Sequence, residues 1–143
     1  MSAITAMILI VVLVIVLGLL LMLQRHRTLP KTLSAEDKSL AHVRWHEVRE
    51  QLKRGGPAHL RQSVITADNL VDHCLKALGI PGDTMGERLK AVGRARFSDY
   101  DGLWSAHKTR NRIVHEADKE LLSFETKSAL DKFERALKDL GAL

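Results

Sequence analysis

Between Leu103 and Glu116 the chain reads Leu-Trp-Ser-Ala-His-Lys-Thr-Arg-Asn-Arg-Ile-Val-His-Glu. Two His, two Arg, a Lys and an Asn stand here among apolar anchors. An imidazole can take the proton from a ribose 2′-hydroxyl. A guanidinium can hold a phosphate through two parallel N–H bonds and stabilise the charge growing on it. Arg110 and His115 together therefore suffice for metal-independent cleavage of RNA to a cyclic phosphate. Asn111 would position the phosphate or the imidazole, and Lys108 and Arg112 would bind backbone. The bland alternative is that these groups satisfy carboxylates at a helix interface, with Trp104 as core.

Leu103, Trp104, Ile113 and Val114 predict one helix with a single buried stripe. At about 100° per residue, His107, Asn111 and His115 run down one side, below Trp104. Arg110 lies about 140° from His115 around the axis, so the two converge on one small spot only if the side chains reach round or a second helix completes the site. His107, Asn111 and His115 make a poor metal site, having two His and no carboxylate on that face, and no Cys/His zinc spacing occurs anywhere in the chain. No metal and no cofactor are expected.

Arg110-Asn111-Arg112-Ile113-Val114-His115 resembles the signature of the HEPN superfamily: an Arg, often followed by a polar residue such as Asn, and a His a few residues on, late in a short helical bundle. The resemblance covers these six residues and, more loosely, the helical layout after Glu36. It implies an all-α fold. Many members are metal-independent ribonucleases whose site is assembled across a dimer; others are inactive binding or dimerisation modules.

Several elements must position this stretch. Pro57 opens a helix in which Leu60, Val64, Ala67, Val71, Cys74 and Leu78 recur at three- and four-residue spacing, ended by Gly79. Asp68 and Asp72 flank that stripe. They read either as solvated acids or as partners, one orienting His115 or pairing Arg110. Before this helix, Ser34 or Ala35 starts another, with Glu36 and Asp37 in its first turn and Gly55-Gly56 at its end. After it, Asp83 or Thr84 caps a short helix with Glu87 in a capping box. Ser98 with Asp101 begins the Arg110 helix, and Ser123 caps the last one. Cys74, the single Cys, falls at an apolar position and reads as a buried, inert thiol in a chain without an internal disulfide.

Residues 1–24 carry no Lys, Arg, Asp or Glu. Ala3 to Leu23 would span about 31 Å as a helix, close to the roughly 30 Å hydrocarbon core. Its Ile, Leu and Val favour insertion by roughly 4–8 kcal/mol. No basic segment precedes it and no small-x-small cleavage site follows, so a retained anchor is expected rather than a cleaved signal. Arg25, His26, Arg27 and Lys31 follow at once, which puts the N-terminus outside and the rest in the cytoplasm.

Charge bears on the partner. Residues 25–54 hold eight Lys and Arg against four Asp and Glu, whereas residues 55–143 hold fourteen against thirteen. The basic surplus thus sits in the segment expected beside the membrane, where anionic headgroups account for it. The distal part lacks the basic footprint of a nucleic-acid binder, except for a local patch at Lys108, Arg110 and Arg112.

The expected architecture is all-α: a single N-terminal transmembrane helix over residues 1–24, a basic linker over 25–34, and a HEPN-like bundle of about five helices over 35–143. The expected function is a self-associating interaction module that tethers a protein partner at the cytoplasmic membrane face. The alternative is a membrane-tethered ribonuclease using Arg110, His115 and Asn111. The expected partners are the lipid bilayer, a second copy and an unidentified protein, with RNA as the partner of the alternative.

Overall fold

A computed structural model describes residues 3–26, 32–116 and 121–143, with side chains in the first stretch described over 7–21. Six α-helices follow in order: α1 Ala3–His26, α2 Ala35–Arg54, α3 Pro57–Ala77, α4 Met85–Val92, α5 Tyr100–His115 and α6 Ser123–Asp139. A single 3-10 turn, Arg94–Arg96, links α4 to α5. There is no strand among the described residues, as the all-α expectation required. The chain divides into two units, Met1–Lys31 and Thr32–Leu143.

The first unit corrects an expectation. Among the described residues, no helix is long and apolar enough to cross a membrane. The described side chains of α1 run from residue 7 to residue 21. The transmembrane anchor is therefore not supported, and neither are the outside N-terminus and cytoplasmic domain inferred from it. Half of the expected basic linker over 25–34, residues 27–31 with Arg27 and Lys31, lies outside the described residues.

In the second unit α3 is the helix on which the others pack. It packs against α2, α5 and α6, and meets α4 through Asp72 and Arg88. The predicted stripe of Leu60, Val64, Ala67, Val71, Cys74 and Leu78 is wholly buried. So are Ser63, Asp68, Leu70 and Leu75, because a central helix is covered on more than one side. Val48 of α2, Leu89 of α4, Leu103 of α5 and Phe133 and Leu137 of α6 complete the core. Ser63 can be buried at little cost because its hydroxyl donates to the Leu60 carbonyl at 2.7 Å.

The helix starts follow local chemistry. Ser34 caps α2, accepting from the Asp37 N–H at 3.0 Å while the Asp37 carboxylate returns to the Ser34 N–H. Thr84 and Glu87 form the same box on α4. The cap of α5 is Asp99 rather than Ser98, its carboxylate accepting from the Gly102 N–H at 2.9 Å. Ser98 instead donates to Asp139 from both its N–H and its hydroxyl, pinning the end of α6.

Cys74 is fully buried, and burial, with the Asp37 charge as a lesser cause, pushes its thiol up to about 11. The folded chain should alkylate with iodoacetamide at least about a hundredfold more slowly than the chain in denaturant, since only thiolate reacts. Equal rates measured by mass spectrometry would contradict the core placement.

Candidate functional site

α5 places His107, Arg110 and Asn111 at spacings of three and four, so they share one face. That face meets α3 at Asp68. The Asp68 side chain is 3 % exposed, and its Oδ1 accepts from His107 Nδ1 at 2.8 Å. This bond leaves the lone pair of His107 on Nε2, which receives Asn111 Nδ2 at 3.3 Å. Asn111 Oδ1 in turn accepts from Arg110 Nη1 at 3.1 Å. Arg110 Nε returns to Asp68 Oδ2 at 3.3 Å, close enough to pair but not aligned as a hydrogen bond. The four side chains thus close a ring. Each link fixes the next: the carboxylate sets the imidazole tautomer, the imidazole orients the amide, and the amide holds the guanidinium.

The ring lines a cleft of about 450 Å³, whose other walls include Asn69 and Asp72 of α3 and Thr84, Met85 and Gly86 at the start of α4. Gly86 faces this wall: a Cβ there would make ordinary contacts, 3.4 Å from the Trp104 ring and 3.9 Å from His107 Nε2. Trp104 stands edge-on to His107 and to Tyr100, with ring centroids 5.9 and 6.4 Å away. It supports the imidazole from the core side, in keeping with the structural reading of that residue.

Asp72 faces the cleft but belongs to a second network. Arg88, whose side chain is 5 % exposed, donates to it at 2.7 Å, and Lys76 pairs with it at 2.7 Å. Arg88 also donates to the Gly82 and Asp83 carbonyls, joining the loop before α4 to α3. Burial alone would raise the Asp72 carboxyl, but the bonds from Arg88 and Lys76 outweigh it and hold the group below its ordinary value of 3.8.

The ends of several helices carry carboxylates lowered in the same direction: Asp37 by its bond to Ser34, Glu87 by backbone N–H groups, and Glu125 by Arg112. A carboxyl depressed on folding adds stability that is complete above its unfolded value and is lost as pH falls through its folded value. The contribution of these carboxylates to unfolding free energy should therefore be complete above about pH 5 and fall progressively from about 4 downwards. Urea titrations across that range check this, and a steady value down to pH 2 would contradict it.

The predicted site residues divide. Arg110, Asn111 and Asp68 come together, and of the two Asp it is Asp68 that meets Arg110. Asp72 meets neither Arg110 nor His115. His115, in the last turn of α5, is exposed and stands outside the cleft. Lys108 is exposed as well, and Arg112 bonds Glu125 of α6 at 2.8 Å. Two residues outside the predicted site carry much of the arrangement: His107, bonded to an Asp 39 positions earlier, and Arg88. The spacing of His107 from Arg110 and Asn111 was a usable signal for the first; nothing local pointed to the second. Among the described residues no group of three His, Cys, Asp or Glu could hold a metal ion.

Chemically, the cleft offers an acceptor nitrogen of fixed tautomer, a guanidinium held at two of its nitrogens and two carboxamides. Comparison with protein-family models, curated proteins and solved structures finds no match to this chain.

Proposed function

We propose that residues 35–143 form a helical interaction module that self-associates. The observation that carries this reading is three exposed apolar side chains near the end of α5 and the start of α6. Val114 is 48 % exposed, Leu122 47 % and Phe124 70 %. In the chain they lie between Arg112 and Glu125, the pair that ties the two helix ends together. Single exposed apolar residues are ordinary on a monomer, whereas a group of them marks an interaction surface. A second copy is the natural occupant, because a two-fold contact covers the same patch on both chains at once. The Arg110–Asp68 pair supports a structural role for the neighbouring polar groups.

The test is disulfide trapping in the full chain. We place the two-fold axis beside Phe124, the most exposed of the three, so Phe124→Cys should give a covalent dimer under mild oxidation, the two Cα atoms then lying within the roughly 7 Å that a disulfide requires. Lys90→Cys, on α4, serves as the exposed control, and Cys74 is too buried to interfere. Equal trapping of both variants, or none, counts against the module.

A second reading, metal-independent cleavage of RNA, is favoured by one observation: Arg110 and Asn111 line an open polar cleft. His115 of the same chain stands outside that cleft, so here too a second copy would have to bring it in. Cleavage of RNA by the full chain in a chelator, with cyclic phosphate ends and loss in both Arg110→Ala and His115→Ala, supports this reading. Absence of cleavage leaves the module alone.

A further inference from the structure

We infer that the Arg112–Glu125 ion pair is a clasp that preorganises the self-association surface, so that two residues outside the apolar contact set how tightly two copies bind; the inference rests on the self-association reading. Val114 stands two residues after Arg112, and Leu122 and Phe124 stand just before Glu125. The three apolar side chains thus belong to two helix ends. A second copy meets the same surface each time only while the end of α5 and the start of α6 keep one arrangement.

Glu125 holds both ends. Its Oε1 accepts from Arg112 Nη2 of α5 at 2.8 Å. Its Oε2 accepts from the Leu122 N–H at 3.3 Å, the backbone of one of the exposed apolar residues. The Thr126 N–H and hydroxyl both donate to the Leu122 carbonyl, at 3.1 and 3.3 Å. Both polar backbone groups of Leu122 are therefore tied to the first turn of α6. On the α5 side, Arg61 of α3 donates to the Ile113 carbonyl at 3.4 Å, one residue before Val114. The links from Arg135 to Asp99 and from Lys132 to Ser105 lie about two turns or more further along α6 and hold its other half.

The side chains of the pair are 42 % and 27 % exposed, so its loss takes little from the fold. Its weight in association is greater for two reasons. A surface already held in its binding arrangement gives up less freedom when a partner docks. A two-fold contact uses that surface on both copies, so loss of the clasp is felt twice.

Energy transfer between full chains labelled at Lys90→Cys with donor or acceptor dye, mixed and diluted, gives the dissociation constant; Cys74 is too buried to take the dye. Glu125→Gln keeps an acceptor for the Leu122 N–H and removes the charge. It should weaken association about tenfold, and Arg112→Gln should do the same. The urea midpoint of both should stay close to wild type. The exchanged pair, Arg112→Glu with Glu125→Arg, should recover most of the affinity. A residue that only caps α6 would show no such recovery, since an arginine offers Leu122 no acceptor. Should Glu125→Gln fail to fold by circular dichroism, Arg112→Gln, which leaves the α6 cap whole, carries the comparison. Folded single variants within twofold of wild type, or an exchanged pair no better than the singles, overturn the clasp and leave self-association standing. A wild-type chain that does not associate, or whose association is untouched by Phe124→Ser, removes the self-association reading and this inference with it.

Discussion

Asp68→Ala should lower the free energy of unfolding by about 3 kcal/mol, the low end of the range for breaking a buried pair. The carboxylate is buried, and two groups depend on it: His107 at 2.8 Å and Arg110 at 3.3 Å. Removing it leaves His107 Nδ1–H without an acceptor in an apolar wall beside Trp104, and leaves the guanidinium without its counter-charge. The Arg110 side chain is 28 % exposed, so water recovers part of its loss, which is why the low end applies. Asp68→Asn keeps the shape and one acceptor oxygen, and should cost roughly half as much. Chemical denaturation of the three proteins at neutral pH decides the matter. Equal stability of Asp68→Ala and wild type would falsify the closed ring, since no ring member could then depend on the carboxylate.

How far the fold could be read from the chain depends on the distance over which each feature is determined. The α3 stripe from Leu60 to Leu78 was legible because spacing of three and four residues is a property of one helix. The boxes at Ser34–Asp37 and Thr84–Glu87 were legible for the same reason, each being complete within four residues. The start of α5 was misplaced by one residue. Ser98 and Asp99 are both good caps, and the choice between them is made by Asp139, 41 positions away, which takes Ser98 for itself. The transmembrane expectation came from the length and apolar composition of residues 3–23 and the basic residues after them, and it is not upheld among the described residues.

The candidate site was legible in part. That Arg110 and His115 could not meet on one helix followed from the 100° step, and the structure keeps them apart. That one of two acids would pair Arg110 was an open alternative, which the packing of α3 against α5 resolves in favour of Asp68. The four-residue step from Asp68 to Asp72 turns their side chains by about 40°, enough to send one to α5 and the other to α4. His107 was read only as a neighbour in a column of polar residues. Its bond to Asp68 is a tertiary fact, and a helical wheel of α5 holds no information about it.

Arg88→Ala should be nearly as costly as the loss of Asp68, at about 3 kcal/mol. The Arg88 side chain, 5 % exposed, fills the junction of α3, α4 and the loop between them. Its guanidinium meets both oxygens of Asp72, at 2.7 and 3.4 Å, and two loop carbonyls besides. Truncation therefore removes packing, strands those carbonyls and leaves Asp72 with Lys76 alone. Arg88→Lys should recover little, because a single ammonium cannot reproduce a fork that reaches a carboxylate and two carbonyls together. A double-mutant cycle with Asp72→Ala isolates the charge pair, with an expected coupling of about 1–3 kcal/mol. Coupling near zero, with Arg88→Ala still destabilised, would mean that the guanidinium matters for the loop carbonyls and packing rather than for Asp72. The loop would then be the element that Arg88 holds, and α4 would reach the cleft through Gly82 and Asp83 instead of through α3.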